Sequence, residues 1–428
     1  AREGFSLRAT CGGAHNVFYN GDSGPLLATE TVADLFGELR KLGGIAIPHH
    51  TAYRVGMRGK DWSVFDEQIC PFAELYSAHG SSEAIDVLPG MTENGDMGPR
   101  VSGGTIQDGL ARGLRFGIIA SNESHVGYAG RWGYGLMAVL ADDLTRASLW
   151  EAFLARRVYG VTGDRIALQF SANGHEMGEC FRTDGPVELC AGVSGSGALD
   201  RIELLKNNRV FSTHCHRDTW DASTEGPVRA KWRIGGLCGP SAHMNFRGLE
   251  PHPMDLALTV RGGRILTAEP CFSAPGQRLG EVNGDRLSWH WSIPPRVQND
   301  TPNMQAVVVE FEADPGGRLM VEIDGRHHEL TVGEALGAAS VLPLLEESRE
   351  RIWKTFGCSA EDIKNPDEYY HNAHKVLFSR ADPEAACRAD VTVVDESPEP
   401  GRNWYYVRVT QENGQMAWSS PIWVESGP

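Results

Sequence analysis

The first 165 residues alternate between stretches with helical and with strand-like hydrophobic spacing. In some stretches apolar residues recur every three or four positions, and short uninterrupted apolar runs follow them. Thr29 or Thr31 is suited to begin the first helix, and Gly43-Gly44 is suited to end it. The helix-like stretches are 32–42, 106–114 and 147–157, and the strand-like runs are 44–48, 72–76, 116–120, 134–140 and 158–161. This alternation is typical of a parallel α/β sheet or barrel.

After about residue 165 the pattern changes to strands separated by Gly, Asn, Asp and Pro turns. The strand-like segments are 166–172, 187–193, 201–206, 255–260, 304–313, 319–323, 390–394 and 404–410. Helical spacing returns only at about 339–378. We therefore predict two domains, an α/β domain over residues 1–165 and an antiparallel β-sandwich with that helical insertion over residues 166–428.

Candidate metal ligands stand where the predicted strands of the first domain begin or end. In α/β folds ligands bind at the carboxyl ends of the strands, and imidazole and carboxylate groups bind transition metals. Glu123 and His125 have the acid-x-His spacing that lets both side chains face the same side of an extended segment. The predicted metal ligands are His15, His49, Glu123 and His125.

Three further residues are candidates for catalysis. His79 follows the run at 72–76 and is a metal ligand, a substrate hydrogen-bond donor or a residue that orients another ligand. Arg54 and Arg131 are suited to contact an anionic substrate group, because a guanidinium forms bidentate hydrogen bonds with such groups. The alternative for any single histidine in this set is a structural residue that only hydrogen-bonds the backbone.

Composition narrows the class of partner. The chain has 428 residues and a formal net charge of −16, which argues against nucleic acid and against an anionic membrane surface. It contains no apolar run of about 18 residues, so we expect no membrane span. Nine widely spaced cysteines without a CxxC motif favour reduced thiols and a cytoplasmic location, with the periplasm as the alternative.

Several motifs together resemble the PHP superfamily, named for polymerase and histidinol phosphatase domains. The chain is most similar to a branch of that superfamily filed as a domain of unknown function. The matching segments are 15–19, 47–49, 74–83, 121–125, 157–166, 404–409 and 417–423. They occur in family order and cover most of the chain.

The resemblance implies a distorted β/α barrel whose mouth holds two or three divalent ions, commonly zinc, manganese or iron. It implies that His15, His49, Glu123 and His125 bind metal, with Glu123 where the family usually has Asp. The family's early H-x-H strand and bridging Glu have no match here. We therefore expect the later half of the barrel plus the sandwich, with the first half supplied by a second polypeptide, and we expect an oligomer.

The leading hypothesis is a divalent-metal-dependent hydrolase in which a metal-activated water attacks a phosphoester or related ester of a small anionic substrate. One alternative is a non-catalytic subunit for binding or assembly. The other is a metallohydrolase for a sulfate ester, an amide or a glycan derivative.

Overall fold

A computed structural model of the chain describes residues 13–91, 99–123, 128–219, 226–237, 251–293 and 304–427. Strands hold 46% of these residues and helices 15%. The strands are β1 (Ala14–Tyr19), β2 (Gly44–His49), β3 (Phe72–Ser77), β4 (Gly80–Ser81), β5 (Gly117–Ala120), β6 (Leu136–Val139), β7 (Val158–Val161), β8 (Ala167–Ala172), β9 (His175–Glu176), β10 (Cys180–Thr183), β11 (Val187–Ser194), β12 (Leu199–Lys206), β13 (Arg209–Cys215), β14 (Val228–Leu237), β15 (His252–Cys271), β16 (Arg278–Leu279), β17 (Arg286–Ile293), β18 (Gln305–Ile323), β19 (Arg326–Thr331), β20 (Ser340–Pro343), β21 (Lys375–Phe378), β22 (Asp382–Pro383), β23 (Arg388–Asp395), β24 (Gly401–Gln411), β25 (Met416–Ser419) and β26 (Ile422–Ser426). The helices are α1 (Val32–Leu42), α2 (Ile106–Ala111), α3 (Arg146–Leu154), α4 (Val332–Gly337), α5 (Leu345–Phe356), α6 (Pro366–Asn372) and α7 (Glu384–Cys387).

Helix α1 forms where its hydrophobic spacing predicts it. The side chain of Thr31 accepts a hydrogen bond from the Asp34 amide at the start of the helix, and Gly43 ends it in the left-handed conformation. Its apolar face packs in one buried cluster with residues of β1 and β2. The predicted helix at 32–42 and its Thr31 cap are therefore confirmed.

The prediction of a PHP-type β/α barrel is wrong. In the described ranges β2 pairs antiparallel with β1, β3 pairs parallel with β5 and antiparallel with β4, and none of these sheets closes on itself. β6 and β7 pair antiparallel and belong to a larger sheet with β25. The cause of the error is physical, because a short apolar run buried on both faces looks the same in a parallel and in an antiparallel sheet.

Two sheets of the second region form a sandwich. One has eight strands, in the order β10-β26-β24-β25-β7-β6 with β12 and β13 attached through β24, and the other has the order β23-β11-β8-β9. Buried side chains of both sheets, including Leu168, Leu189, Ile202 and Val407, share one hydrophobic cluster. The predicted strands after residue 165 are thus present, although β10 pairs parallel with β26.

A third, nine-stranded sheet is built around β15 and β18, which pair along most of their lengths and shift register at two points. Its own cluster contains Trp232, Trp291 and Phe311. The predicted helical insertion at 339–378 contains α5 and α6, but its ends form β20 and β21 of this sheet. The second region therefore holds two separate β cores where the sequence predicted one sandwich.

The sandwich also packs against the strands of the first region. Trp62, Leu75 and Phe116 share a buried cluster with Tyr406 and Trp418 of β24 and β25. In the described residues, no helix is both long and apolar enough to cross a membrane. Both β3 and β5 contribute to this contact, and the candidate site lies at the carboxyl ends of these strands.

Candidate metal centre

Four potential ligands converge where β2, β3 and β5 end. His49 is the last residue of β2 and His50 follows it, His79 lies in the turn between β3 and β4, and Glu123 lies three residues beyond β5. Because β3 and β5 are parallel, their carboxyl ends meet at one edge of the sheet. The topology therefore brings together side chains that are up to 74 positions apart in sequence, the distance from His49 to Glu123.

Glu123 is the centre of the cluster. Its Oε1 lies 2.7 Å from His50 Nε2, and its Oε2 lies 2.9 Å from His79 Nε2. The rings of His49 and His50 have centroids 4.0 Å apart, and those of His50 and His79 4.5 Å apart. One ligand atom each of His49, His50 and Glu123 lies within 4.8 Å of the others.

Two of these residues have an unusual backbone conformation. His50 has φ 57° and Glu123 has φ 49°, both in the left-handed region that residues with a Cβ rarely adopt. Such strain costs about 1–3 kcal/mol and is concentrated at functional sites. The neighbouring Gly80 also has a positive φ, and a Cβ there would lie 2.0 Å from the Gly90 carbonyl oxygen, so the turn that carries His79 requires glycine.

Several nitrogen atoms of the cluster are buried without a hydrogen bond. Among the described residues, His49 Nδ1 and both ring nitrogens of His50 have no hydrogen-bond partner, and neither does Glu123 Oε2. Two of these atoms, His50 Nε2 and Glu123 Oε2, have only the charged contacts at 2.7 and 2.9 Å given above. A buried polar atom without a hydrogen bond lowers the stability of the folded state. A cation bound between these atoms would use their electron pairs.

The electrostatics favour the protonation states that bind a metal. Burial, with smaller contributions from His50 and Arg58, lowers the pKa of His49 to about 3. Burial also lowers the pKa of His50. Although burial alone would raise the pKa of Glu123, its contacts with His50 and His79 lower it. Near neutral pH the site thus offers the neutral imidazoles of His49 and His50 and an ionised carboxylate, a set that fits zinc, manganese or iron.

Tyr53 and Glu74 complete the surroundings, and neither was predicted as a site residue. The Tyr53 hydroxyl lies 2.9 Å from His79 Nδ1, which directs Nε2 of that ring toward Glu123. Glu74 is buried on β3 and accepts a hydrogen bond from Ser121. Burial, then the nearby Glu123, raises the pKa of Glu74 to about 8. The available signal for Glu74 was a carboxylate inside an otherwise apolar strand.

The structure places three of the predicted site residues together, namely His49, His79 and Glu123. His15 lies on β1 beside them, but its Nδ1 is 3.1 Å from the Gly13 carbonyl oxygen and its Nε2 is 3.3 Å from Lys60 Nζ. His125 lies outside the described residues. Metal binding by each of these residues stays a prediction.

The two predicted arginines lie at different distances from the cluster. Arg131 stacks its guanidinium 4.2 Å from the Tyr134 ring centre, and its carbonyl accepts a hydrogen bond from Asn122, the neighbour of Glu123. Arg54 is exposed in a turn, where its carbonyl accepts from the Met57 and Gly59 amides. Arg58, in the same turn, is near enough to lower the pKa values of His49 and His50.

A second group of metal-ligand atoms lies between the sandwich and the nine-stranded sheet. Asp164, Glu269 and Cys271 also lie within 4.8 Å of one another. Here, however, Arg233 lies 2.6 Å from Asp164 Oδ2 and 3.2 Å from Cys271 Sγ. A guanidinium already occupies the position that a cation would take.

Comparisons with known proteins assign no activity. No family model matches this chain. It is similar to uncharacterized proteins of Chlamydia pneumoniae, with 32% identity over 186 residues, and of Chlamydia trachomatis and Chlamydia muridarum, with 28% identity over 184 residues. Each match covers 40% of this chain, which spans 29% of the relative's length.

Two solved structures show only remote likeness. The fibronectin(III)-like modules of Clostridium thermocellum CbhA have 7% identity and a TM-score of 0.10, covering 60% of this chain and 94% of that one. The major pilin subunit BcpA of Bacillus cereus has 6% identity and a TM-score of 0.09, covering 61% and 67%. Scores this low support no conclusion about fold or function, so function has to be inferred from the site itself.

Proposed function

We propose that the protein is a divalent-metal-dependent hydrolase whose metal is held by His49, His50 and Glu123, with His79 beside them. The observation that carries this proposal is the group of buried ring nitrogens without hydrogen bonds around an ionised carboxylate. A group of this kind is costly in the folded chain unless a ligand uses its electron pairs. A divalent ion with nitrogen and oxygen ligands is the ligand that matches it.

A divalent ion supplies Lewis acidity, which polarises an ester group and makes water a better nucleophile near neutral pH. The chain's own residues would hold the reactants. Tyr53 keeps His79 oriented toward Glu123. Glu74 is buried on the strand that leads to His79 and accepts a hydrogen bond from Ser121, so it supports the end of that strand from inside the protein.

The proposed substrate is a small phosphoester, because cationic side chains lie beside the cluster. Arg58 acts on the pKa values of both His49 and His50, and Arg131 lies next to the segment that carries Glu123. Guanidinium groups bind phosphate oxygens through paired hydrogen bonds. A sulfate ester or another anionic ester would use the same contacts, and a panel of substrates distinguishes them.

Elemental analysis and a hydrolysis assay test the proposal together. We expect the purified chain, reloaded with Zn²⁺ or Mn²⁺, to hold about one equivalent or more of metal and to hydrolyse p-nitrophenyl phosphate. His50→Ala should lose both properties. The matched control is His175→Ala. His175 is an exposed histidine on β9 that pairs with Glu179.

Two outcomes would contradict the proposal. Less than about one tenth of an equivalent of bound metal in the wild-type chain would exclude a metal centre at this site. Metal binding without hydrolysis of any ester, sulfate ester or amide in the panel would instead favour a non-catalytic binding subunit.

A further inference from the structure

The β-sandwich contacts the segment that follows His79 through the buried carboxylate of Glu83. Glu83 lies four residues after His79, and its side chain has 0% exposure. Its carboxylate accepts hydrogen bonds from the Tyr406 hydroxyl at 2.8 Å, from Trp418 Nε1 at 2.9 Å and from Arg408 at 3.0 and 3.1 Å. All three donors belong to strands β24 and β25 of the sandwich.

The segment between His79 and Glu83 leaves little freedom to the histidine. β4 pairs with the end of β3, and the Ser82 amide donates to the Leu75 carbonyl at 2.6 Å. The Trp418 ring that donates to Glu83 also stacks on Tyr76 of β3, with centroids 6.0 Å apart. The turn carrying His79 is therefore clamped at one end by its own hairpin and at the other by the sandwich.

The strand that leads to Glu123 has a separate attachment to the sandwich. The Ile118 amide of β5 donates to Ser420 Oγ at 2.8 Å, and the Ser420 hydroxyl donates to the Val158 carbonyl at 2.5 Å. The backbone approaches this side chain closely, because a Cβ at Gly117 would lie 2.8 Å from Ser420 Oγ. Ser420 thus sets the position of β5 with respect to the sandwich.

The hydrogen bonds of the Glu83 carboxylate are strong enough to hold the turn that carries His79. Hydrogen bonds between ionised partners are about twice as strong as neutral ones. Burial alone would lower the pKa of the Arg408 guanidinium, but the hydrogen bond to Glu203 and the charges of Glu83 and Glu203 outweigh it and raise that pKa. The carboxylate is saturated by protein donors, which makes it unsuited to bind an ion itself.

From these contacts we infer that the sandwich is part of the metal centre, with Glu83 as the positioning residue for His79 and Ser420 as the positioning residue for the strand of Glu123. This inference rests on the proposed metal site. Residues that orient metal ligands from outside typically change metal affinity by about 10- to 100-fold when they are replaced.

The test compares two carboxylates on the same arginine. Glu83→Gln removes the charge that holds the His79 turn, whereas Glu203→Gln removes the other partner of Arg408, 2.8 Å from its Nε, and leaves the turn intact. Both variants remove one buried charge from the same ion-pair network, so both should lower thermal stability. Dissociation constants for Zn²⁺ and the visible absorption spectrum of bound Co²⁺ are measured on the full chain.

We expect Glu83→Gln to weaken Zn²⁺ binding by about 10- to 100-fold and to alter the Co²⁺ spectrum. Glu203→Gln should keep the wild-type affinity and spectrum. If Glu83→Gln does not fold, Tyr406→Phe is used instead, because it removes one of the hydrogen-bond donors to Glu83. It should also weaken Zn²⁺ binding and alter the Co²⁺ spectrum, but by less than Glu83→Gln.

Three results would overturn the inference. Wild-type affinity and spectrum in Glu83→Gln would show that the sandwich does not position His79. Equal weakening in Glu83→Gln and Glu203→Gln would show a general loss of stability. Absence of metal binding in the wild-type chain would overturn the proposed function as well, which distinguishes that failure from the first two.

Discussion

In the described part of the chain, two clusters each bring three metal-ligand atoms within 4.8 Å of one another, and they differ in what surrounds those atoms. The cluster of His49, His50 and Glu123 leaves ring nitrogens without hydrogen bonds. In the cluster of Asp164, Glu269 and Cys271, Asp164 accepts hydrogen bonds from Arg233, Trp132, Gln411 and Asn413. We call His49, His50 and Glu123 the histidine cluster, and Asp164, Glu269 and Cys271 the aspartate cluster.

The difference shows that proximity of ligand atoms does not define a metal site. In the aspartate cluster the positive charge of Arg233 lies against the Asp164 carboxylate, and both oxygens of that carboxylate accept hydrogen bonds. In the histidine cluster burial lowers the pKa values of His49 and His50, and the ring nitrogens of these two residues named above have no hydrogen bond. The aspartate cluster therefore stabilises the fold. The histidine cluster is the one in which we propose that a metal ion binds.

The largest effect is expected from breaking the aspartate cluster. Asp164→Asn leaves Arg233 buried without its charged partner, so the free energy of unfolding should fall by about 3–5 kcal/mol. Denaturant unfolding measures this loss. Metal content should remain that of the wild-type chain, and a loss of metal with unchanged stability would reverse the roles of the two clusters.

The next effect concerns the histidine cluster. Glu123→Gln removes the ionised ligand, and we expect Zn²⁺ affinity to fall by at least about 100-fold, or about 2.7 kcal/mol. The metal-free variant loses only the contacts of Glu123 with His50 and His79, so its free energy of unfolding should fall by much less than that of Asp164→Asn. Calorimetric titration and urea unfolding give both numbers, and a strongly destabilised variant would indicate a structural ion pair.

A smaller effect is expected from Tyr53→Phe, which removes the hydroxyl beside His79 Nδ1. One hydrogen bond contributes about 0.5–1.5 kcal/mol, which corresponds to about a 2- to 12-fold loss of Zn²⁺ affinity. The ring itself is buried and remains in place. An affinity equal to that of the wild type would show that Tyr53 does not orient His79.

The smallest effect is in the acid dependence of stability. Burial alone would raise the pKa of Asp164, but Arg233 and the hydrogen bonds from Asn413 and Trp132 lower it. A carboxyl group with a lowered folded-state pKa contributes stability that is present above its unfolded value of 3.8 and is lost as the pH falls through the folded value. The stability difference between the wild type and Asp164→Asn should therefore shrink below that pH and stay constant above it.

Urea unfolding at a series of pH values checks this sign. A stability difference that grows as the pH falls would mean that Asp164 is protonated in the folded chain near neutral pH. Glu269 is the neighbouring carboxyl group, and burial raises its pKa. In that case the pH dependence would have to be assigned between Asp164 and Glu269.

Local structure could be predicted well from the sequence, and pairing could not. Helix α1 and strand β2 follow from apolar spacing, a threonine cap and a glycine stop, all within a few residues. The placement of β6 and β7 in the sandwich depends on Met416–Ser419, more than 250 residues further along the chain. No local pattern indicates such a partner, so the barrel was the wrong inference from correct strands.

The site followed the same rule. His49, His79 and Glu123 were predicted because each follows a strand, and this relation survives a change of topology. His50 was only the neighbour of His49, and the left-handed backbone that turns its ring toward Glu123 is a property of the folded chain. Tyr53 and Glu74 could not be predicted from the sequence, because their roles depend on contacts with His79 and Ser121 that only the folded chain shows.

The proposed metal centre is tested by the metal content of three proteins prepared in parallel: the wild type, Glu123→Gln and Asp164→Asn. Each is reloaded with Zn²⁺ and freed of excess ion before measurement. We predict about one equivalent or more in the wild type and in folded Asp164→Asn, and loss of that metal in Glu123→Gln. Retention of metal by Glu123→Gln together with its loss from Asp164→Asn would contradict the account.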